Sequence, residues 1–408
     1  MNCKFGTSGI RGPYPESINE EVLFRLGVVL SREFNLVYVG MDIRDSSESL
    51  LNSLIKGLLT NKIEVINLGL APVGALASLS KNSLGVYITA SHNPFDHNGF
   101  KIFYKGGEVY GDLEKQIENN LNSIIPPESK TLGILKTMDW KWAYKKSLPF
   151  LGMGSAKIVL ACNGSAKVVL PTLLSELGYE LICLNEEIPI EQYDRKIISK
   201  KIRETNSDIC FLLDADGDRL IVFDENGEEI QKDIQLNLAL DFLKPAKPVL
   251  TVESSHSSTK IMSDRIITAV GSKNVGSIMM QLNSSFGGEP AGEFIYSSLS
   301  YCPDGIATAL LFLEILKQGK ISNLRKKYEI PKIYREKYLV LDRDRSMEII
   351  KKSIIPYFNN VSLIDGVRIE QSDGFALIRP SGTESLIRLT YENFNDIETV
   401  KKIIEESI

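Results

Sequence analysis

Three aspartates stand at alternating positions in one short stretch of the chain, Asp214, Asp216 and Asp218. This stretch lies between two apolar runs that are typical of strands, Ile209–Leu213 and Leu220–Phe223. Carboxylates so close together repel one another, and a hard divalent cation with oxygen ligands, Mg²⁺ or Ca²⁺, removes that cost. The spacing therefore predicts a metal site in a strand-end loop, and we favour it over a solvated acidic loop.

Two other functions use acidic loops of this kind. An EF-hand needs glycine at the sixth position of its calcium loop, where this chain has Arg219, and it needs flanking helices where this chain has strands. We therefore exclude it. A phosphatase with Asp214 as an aspartyl-phosphate nucleophile stays open from the residues alone.

A second candidate centre is the turn after the apolar run Leu84–Thr89, where Ser91 precedes Asn93-Pro94. A strand covered on both faces would present Ser91 at its carboxyl end, which is where α/β sheets bind ligands. Ser91 is thus a nucleophile, a phosphate carrier or an ordinary turn residue, and this stretch taken alone favours the turn residue, because Ser and Asn-Pro are common in turns.

Two further stretches could bind phosphate. In Arg379-Pro-Ser381-Gly-Thr383-Glu384 an arginine, two hydroxyls and a glycine share one turn, as in a phosphate clamp or a capped β-turn. Near the amino terminus, three glycines around Arg11 let the backbone approach an anion closely.

The stretch Gly287–Glu293 is predicted to be a glycine-rich loop that carries two carboxylates, Glu289 and Glu293. Carboxylates accept hydrogen bonds from sugar hydroxyls well, and a mobile loop is the alternative.

The elements that position these residues alternate between strands and helices up to about Lys320, which predicts βαβ units with parallel or mixed sheets. Beyond it, short strands and two helices predict a small α+β domain. The predicted strands near the candidate residues are Leu36–Gly40, Glu64–Leu68, Leu84–Thr89, Phe100–Tyr104, Lys157–Cys162, Ile209–Leu213, Leu220–Phe223, Pro248–Val252, Ile266–Val270, Gly374–Ile378 and Leu386–Tyr391.

Composition limits the class of protein. With 408 residues we expect two to four domains. The net charge of -5 argues against a nucleic-acid surface, and we find no apolar span long enough for a membrane and no signal peptide. The 5 scattered cysteines predict reduced thiols and a cytoplasmic location.

Taken together and in this order, four motifs resemble the α-D-phosphohexomutases, a superfamily that includes phosphoglucomutase, phosphomannomutase and phosphoglucosamine mutase. The opening Gly6–Gly12 is similar to theirs as well. The four motifs are Thr89-Ala-Ser91-His-Asn-Pro94, the Asp214–Arg219 loop, Gly288-Glu289-Pro-Ala-Gly292 and Arg379-Pro-Ser-Gly-Thr-Glu384.

The resemblance implies an α/β protein of four domains in a heart-shaped arrangement, three similar mixed-sheet domains and a carboxyl-terminal α+β domain. The expected limits are residues 1–151 with the phosphoserine loop, 152–246 with the metal loop, 247–330 with the sugar-binding loop and 331–408 with the phosphate-binding loop.

The resemblance also implies residue roles. Ser91 would be the phosphoserine and would hold Mg²⁺ together with the three aspartates. Arg219 and Arg11 would stand beside its phosphate, and Lys101 and His92 are candidates for proton transfer. The residues implied in substrate binding are Glu289 and Ala291 for the sugar, and Arg379, Ser381, Gly382 and Thr383 for the phosphate that does not react.

The implied activity is interconversion of hexose 1-phosphate and 6-phosphate through the phosphoserine and a 1,6-bisphosphate, which also acts as activator. The motif forms favour glucosamine phosphate, with glucose or mannose phosphate, or a non-catalytic sugar-phosphate sensor, as alternatives. The chain departs from many relatives at Ala291, where they have serine or asparagine, and at Glu293, where they have histidine or threonine. We expect hexose phosphates as the partners, no nucleic acid or membrane, and a monomer or homodimer.

Overall fold

The computed structural model describes residues 4–6, 8–91, 93–124, 132–162, 164–184, 193–328, 330–381 and 384–408. These residues form four β-sheets that follow one another along the chain. Strands alternate with helices through the first three sheets, while the fourth is wholly antiparallel with two helices beside it. The predicted multi-domain α/β class is confirmed.

The first sheet contains β1 (Ile10–Pro13), β2 (Leu36–Met41), β3 (Glu64–Leu70), β4 (Leu84–Ile88), β5 (His97–Tyr104), β6 (Gly107–Glu108) and β7 (Ile134–Thr137). Its helices are α1 (Glu20–Ser31), α2 (Ser47–Leu58), α3 (Val73–Leu79), α4 (Asp112–Ser123) and α5 (Trp140–Ser147). The strand order is β1-β5-β4-β2-β3-β7, with β6 paired to β5. All of β4 is buried, and Tyr87 packs into one apolar cluster while Val86 and Ile88 pack into another, as expected of a strand covered on both faces.

The second sheet has the order β11-β10-β8-β9. Its strands are β8 (Lys157–Cys162), β9 (Glu180–Leu184), β10 (Ile209–Leu213) and β11 (Leu220–Phe223). The helices of this part are α6 (Leu170–Glu176), α7 (Arg195–Thr205) and α8 (Lys232–Leu243), with a 3₁₀ turn at Ser165–Val168. Because β10 is parallel to β8 and antiparallel to β11, the acidic loop joins two neighbouring strands at the carboxyl edge of the sheet.

The third sheet has the order β13-β12-β14-β15. Its strands are β12 (Val249–Thr251), β13 (Ile266–Thr268), β14 (Phe286–Glu289) and β15 (Glu293–Tyr296). Its helices are α9 (His256–Ile261), α10 (Ser272–Leu282), α11 (Gly305–Leu316) and α12 (Ile321–Leu324), followed by a 3₁₀ turn at Arg325–Lys327.

The prediction of a loop at Gly287–Glu293 is wrong, because these residues form a β-hairpin in which Glu289 pairs directly with Glu293. Close packing leaves no room for a side chain at Gly287, because a Cβ there would lie 2.5 Å from the sulfur of Met279 and 3.0 Å from the carbonyl oxygen of Val249. The sequence also gave no sign that Arg11 lies in a strand, β1, which pairs with β5.

The fourth sheet has the order β16-β20-β19-β18-β17. Its strands are β16 (Ile333–Leu339), β17 (Val361–Ser362), β18 (Val367–Glu370), β19 (Phe375–Pro380) and β20 (Leu386–Glu392), and its helices are α13 (Arg343–Ile354) and α14 (Ile397–Glu406).

One apolar core runs continuously through the first three sheets, from Leu68 to Ile321 along the chain. The fourth sheet has its own core, and a small cluster of Val252, Phe375 and Leu377 joins it to the third. Among the described residues, no helix combines the length and the apolar character that crossing a bilayer requires.

Candidate active site

Several candidate residues of the first three sheets lie at strand ends. Ser91 follows β4, the aspartates lie between β10 and β11, and Glu289 is the last residue of β14. The Asp216 carbonyl accepts a hydrogen bond from Val73 N (2.9 Å), so the acidic loop is attached to the first residue of α3 in the first sheet. Carboxyl ends from different sheets therefore meet, as in other α/β ligand sites.

Ser91 is buried, with only 2% of its surface exposed. Its φ of 52° lies in the left-handed region, which is unfavourable for a residue with a side chain. Its N–H donates to Thr89 Oγ1 (2.7 Å), and that hydroxyl donates to Asp42 Oδ2 (2.7 Å). The serine thus occupies a turn that the side chains of Thr89 and Asp42, the residues directly after β4 and β2, hold in place.

The three aspartates form a buried cluster. One ligand atom from each lies within 4.8 Å of the others, and exposures are 1% for Asp214, 0% for Asp216 and 2% for Asp218. Each has one buried oxygen without a hydrogen-bond partner among the described residues: Oδ2 of Asp214 and Oδ1 of Asp216 and Asp218. Buried unpaired carboxylate oxygens are costly, so this donor set fits a hard divalent cation.

Asp214 accepts hydrogen bonds from the main chain of the acidic loop, whereas Asp216 and Asp218 contact the Lys101 side chain. Asp214 Oδ1 accepts from Gly217 N (3.1 Å) and Arg219 N (3.2 Å). Burial, followed by the carboxylates of Asp218 and Asp216, holds the pKa of Asp214 well above its ordinary value. The cluster therefore carries an electrostatic cost that a bound cation would remove.

Lys101, in β5, is buried beside this cluster. Its Nζ lies 2.7 Å from Asp218 Oδ2 and 3.0 Å from Asp216 Oδ2. Burial disfavours its charge, but the carboxylates of Asp216 and Asp218 outweigh burial and hold the pKa of Lys101 well above its ordinary value. Lys101 is therefore an ammonium in this structure, and its charge can stabilise negative charge nearby.

Arg219 joins the acidic loop to the hairpin of the third sheet. Its Nε and Nη2 contact Glu293 Oε1 at 2.7 and 2.6 Å, and Leu220 N donates to the carbonyl of Gly292 (3.1 Å). Burial would raise the pKa of Glu293, but the Arg219 guanidinium and then Lys101 hold it below its ordinary value. The two segments, 74 positions apart in sequence, are thus paired by main chain and side chain.

Glu289 lies opposite Glu293 on the hairpin and is also buried, at 5% exposure. Its Oε2 accepts from Gly271 N (2.9 Å). Burial and the nearby Glu293 carboxylate hold the pKa of Glu289 well above its ordinary value. The hairpin thus places two carboxyl groups with opposite pKa shifts side by side, with half-buried Ala291 in the turn between them.

Arg11 faces the same region. It pairs with Gly99, two residues before Lys101, and its charge acts on both Lys101 and Glu108. In the described part of the chain its Nε is buried and has no hydrogen-bond partner. An unused guanidinium nitrogen at this position suits an anion such as a phosphoryl group.

The fourth sheet contributes a separate arginine-rich cavity of about 180 Å³, with Glu253 and Pro290 of the third sheet's loops on its opposite side. Arg379 Nη2 contacts Asp365 Oδ2 at 2.9 Å, and Nη1 contacts Glu253. Ser381 is buried, and its Oγ accepts from Glu384 N (3.2 Å). The arginines that line the cavity are Arg335, Arg379 and Arg388.

Three predicted site residues, His92, Gly382 and Thr383, lie outside the described residues. Ser91, Lys101, Arg11 and the aspartates share one region with Arg219 and the hairpin, while Arg379 and Ser381 line or border the other cavity.

Several residues that support the site were not predicted. Asp304 caps α11 by accepting from Ala307 N (2.8 Å), and its other oxygen accepts from Tyr144 Oη (2.7 Å). The next residue, Gly305, donates its N–H to the carbonyl of Gly217 in the acidic loop (2.9 Å). Burial raises the pKa of Asp304 to about 6. Asp42 and Arg44 were also missed, although charged residues directly after a buried strand were a usable signal.

Three family models match the chain. The phosphoglucomutase/phosphomannomutase alpha/beta/alpha domain I matches residues 2–127, domain III matches residues 236–334, and the C-terminal domain matches residues 316–407. Among curated proteins, a "Probable phosphoglucosamine mutase" of Thermococcus gammatolerans is 32% identical over 449 aligned residues, covering 100% of this chain and 99% of its own. This chain belongs to the phosphoglucomutase/phosphomannomutase family. It is therefore an isomerase of the phosphohexomutase superfamily, and the resemblance found in the sequence is confirmed.

Solved structures share the fold over nearly the whole chain. A phosphoglucomutase/phosphomannomutase family protein from Burkholderia thailandensis has a TM-score of 0.84 at 22% identity, over 98% of this chain and 96% of that one. The N-acetylphosphoglucosamine mutase of Aspergillus fumigatus, in complex with GlcNAc-6P and magnesium, has a TM-score of 0.62 at 15% identity, over 99% and 94%. At these identities the likeness establishes the fold.

Proposed function

We propose that this phosphohexomutase interconverts the 1- and 6-phosphates of a hexosamine, with glucosamine phosphate as its preferred substrate. The observation that carries the proposal is the cluster of three buried aspartates with one unpartnered oxygen each, linked by Lys101 to the sheet edge where Ser91 lies. The sugar preference is supported by relatives named probable phosphoglucosamine mutase.

We assign Mg²⁺ to the aspartate cluster. Three carboxylates and the Lys101 ammonium leave two negative charges, which one divalent cation balances. Asp214, Asp216 and Asp218 would hold the ion together with an oxygen of phosphorylated Ser91. The bound ion would neutralise charge on the phosphoryl group, as the magnesium complex of the Aspergillus fumigatus protein suggests by analogy.

The transfer itself exchanges one P–O bond for another. The bond between phosphorus and Ser91 Oγ breaks while a sugar hydroxyl oxygen bonds to phosphorus. Lys101, an ammonium, would give a proton to Ser91 Oγ, and His92 is our candidate for accepting the proton of the sugar hydroxyl. Arg11 and Arg219 would orient the phosphoryl group, since phosphoryl transfer depends mainly on positioning and charge neutralisation.

The product of this half-reaction is a hexose 1,6-bisphosphate, which must present its other phosphate to Ser91. Added hexose 1,6-bisphosphate would therefore also phosphorylate Ser91 and act as activator. Glu289, the last residue of β14, would hold the sugar hydroxyls, with Ala291 nearby in the turn of the hairpin. Arg379, with Ser381, Gly382 and Thr383, would hold the phosphate that is not reacting.

We also propose domain limits at residues 1–151, 152–246, 247–330 and 331–408, and a cytoplasmic location. Support for a movable fourth domain comes from the cores: the first three sheets share one, while few apolar residues join the fourth to the third. Closure of that domain over hexose phosphate would exclude water and limit hydrolysis.

The test is a mutase assay with Mg²⁺ and a catalytic amount of hexose 1,6-bisphosphate. It offers glucosamine-, glucose- and mannose-1-phosphate in parallel to the native chain, to Ser91→Ala and to the control Ser123→Ala on α4. We expect fastest turnover of glucosamine-1-phosphate, activity lost only in Ser91→Ala, and phosphoserine detected by intact mass in the native chain.

Other outcomes point elsewhere. Comparable rates on glucose or mannose phosphate would make it a general hexose mutase. Most activity retained in Ser91→Ala would refute the phosphoserine mechanism. Net release of phosphate with label on Asp214 would indicate the phosphatase, and no conversion with no phosphorylation of Ser91 would indicate the sensor.

A further inference from the structure

Arg44 lies just after β2, and all three nitrogens of its guanidinium group donate hydrogen bonds inside the protein. The residue is only 3% exposed. A guanidinium has five N–H donors, and Nε of Arg44 donates to Asp42 Oδ2 (3.1 Å). Main-chain carbonyls accept the other contacts, those of Ser91 (2.6 Å) and Asn93 (2.7 Å) from Nη2, and those of Pro94 (2.5 Å) and His97 (3.0 Å) from Nη1.

Three of the carbonyls that accept from Arg44, those of Ser91, Asn93 and Pro94, belong to the loop between β4 and β5, and the fourth belongs to His97, the first residue of β5. Carbonyl dipoles that point at one spot repel one another unless a cation lies there. Phe95, within the same loop, also places its ring over the guanidinium at 5.2 Å. The loop is therefore folded around a single buried arginine.

The main chain of Ser91 is held at both its polar groups by a closed ring of hydrogen bonds. Its carbonyl accepts from Arg44, and its N–H donates to Thr89 Oγ1 (2.7 Å). Arg44 and Thr89 both donate to Asp42 Oδ2, which closes the ring. The ring holds Ser91 at a φ of 52°, a left-handed conformation that costs about 1–2 kcal/mol for a residue with a side chain.

A lysine at this position could not replace the arginine. Its ammonium has three donors at one atom, whereas the guanidinium spreads its donors over a plane and reaches separate carbonyls simultaneously. Its charge would still pair with Asp42, so the substitution Arg44→Lys keeps the buried ion pair and removes most of the loop contacts.

We propose that Arg44 is a positioning residue of the reaction: it fixes the main chain of Ser91 so that the serine oxygen and its phosphoryl group face the substrate, without touching substrate itself. The proposal rests on the mutase function proposed above. It predicts an effect on kcat with little effect on KM, because the contacts that bind the sugar phosphate are elsewhere.

The experiment compares the native chain with Arg44→Lys, Arg44→Ala and the control Arg25→Ala, an arginine on α1 that pairs with Glu21 at the surface. We expect kcat to fall about 100-fold or more in both Arg44 variants, in line with the cost of small misplacements, with KM within about 3-fold. Millimolar guanidinium, below denaturing concentrations, should restore part of the kcat of Arg44→Ala.

Hydrogen exchange supplies a readout that needs no activity. Peptides covering residues 91–99 should exchange about 10-fold faster or more in Arg44→Lys, while peptides of β10 and β11 stay unchanged. Native-like kcat and loop exchange in Arg44→Lys would overturn the proposal, as would an equal increase in exchange throughout the chain. A native chain without mutase activity but with the loop effect in Arg44→Lys would refute the proposed function and leave the loop contact itself supported.

Discussion

Replacing Asp214 by asparagine should change stability in opposite directions with and without metal. The amide keeps Oδ1, which accepts from Gly217 N and Arg219 N, and it removes one of three carboxylates that lie within 4.8 Å of one another. At an effective dielectric constant of about 20, two such charges repel by about 3 kcal/mol. The Lys101 ammonium offsets this repulsion for Asp216 and Asp218, which it contacts, and it offsets the repulsion less for Asp214.

In EDTA we therefore expect Asp214→Asn to be more stable than the native chain by roughly 1–3 kcal/mol. With Mg²⁺ at about 100 times its Kd, the native chain should gain about 2.7 kcal/mol, and the variant should gain far less because it lacks one ligand. Asp214→Asn would therefore be the more stable protein in EDTA, and the native chain would become the more stable one as Mg²⁺ is added.

The assay is thermal and urea unfolding in EDTA and in a Mg²⁺ series, with Asp45→Asn as an exposed control and Asp216→Asn as a matched variant. Asp216→Asn removes a partner of the buried Lys101 ammonium, so in EDTA it should gain less stability than Asp214→Asn or lose some. If Mg²⁺ stabilises the native chain and Asp214→Asn equally, or neither, the assignment of the cluster as a metal site is incorrect.

Two further predictions concern the fourth sheet and pH. Arg379→Ala should raise KM about 10-fold or more with a smaller change in kcat, because it would remove the charged hydrogen bonds that we propose Arg379 makes to the distal phosphate. Steady-state kinetics, with Arg25→Ala as the control, test this prediction, and an unchanged KM would refute the proposed phosphate clamp. Burial raises the pKa of Asp233 from 3.8 to about 6. Because the folded state favours the protonated carboxyl group, its contribution to stability is complete below pH 3.8 and is lost as pH rises through about 6. The free energy of unfolding of Asp233→Asn should therefore exceed that of the native chain by at most about 3 kcal/mol at pH 7 and by little at pH 4. Unfolding of both proteins at the two pH values measures it, and a difference independent of pH would contradict it.

Strands with continuous apolar runs were predictable from sequence. β10 and β11 have the predicted limits, and the predicted strand Leu84–Thr89 differs from β4 by one residue. Their residues are buried on both faces, so local composition carries the signal. The acidic loop was predictable for the same reason, since it lies between two such strands.

Elements fixed by distant partners were not predictable. The hairpin of β14 and β15 was mistaken for a loop because its glycines, which neighbouring atoms require, resemble turn residues. β1 exists through its pairing with β5, almost ninety positions away. Likewise, Asp42 and Arg44 were visible at a strand end, but the carbonyls that Arg44 contacts lie about fifty positions away, where a sequence does not place them.

The pair of Arg219 and Glu293 explains how a buried carboxylate is accommodated in the hairpin of the third sheet. Glu293 is 7% exposed and would be a costly isolated charge, but Arg219 contacts its Oε1 through two nitrogens. The main-chain bond from Leu220 N to Gly292 holds the same two segments together. The sugar-side hairpin is thus attached to the acidic loop within the shared core of the first three sheets, so its position does not depend on where the fourth sheet lies. Arg379, whose carboxylate partners Glu253 and Asp365 come from the third and fourth sheets, is instead placed where movement of the fourth sheet would alter its contacts.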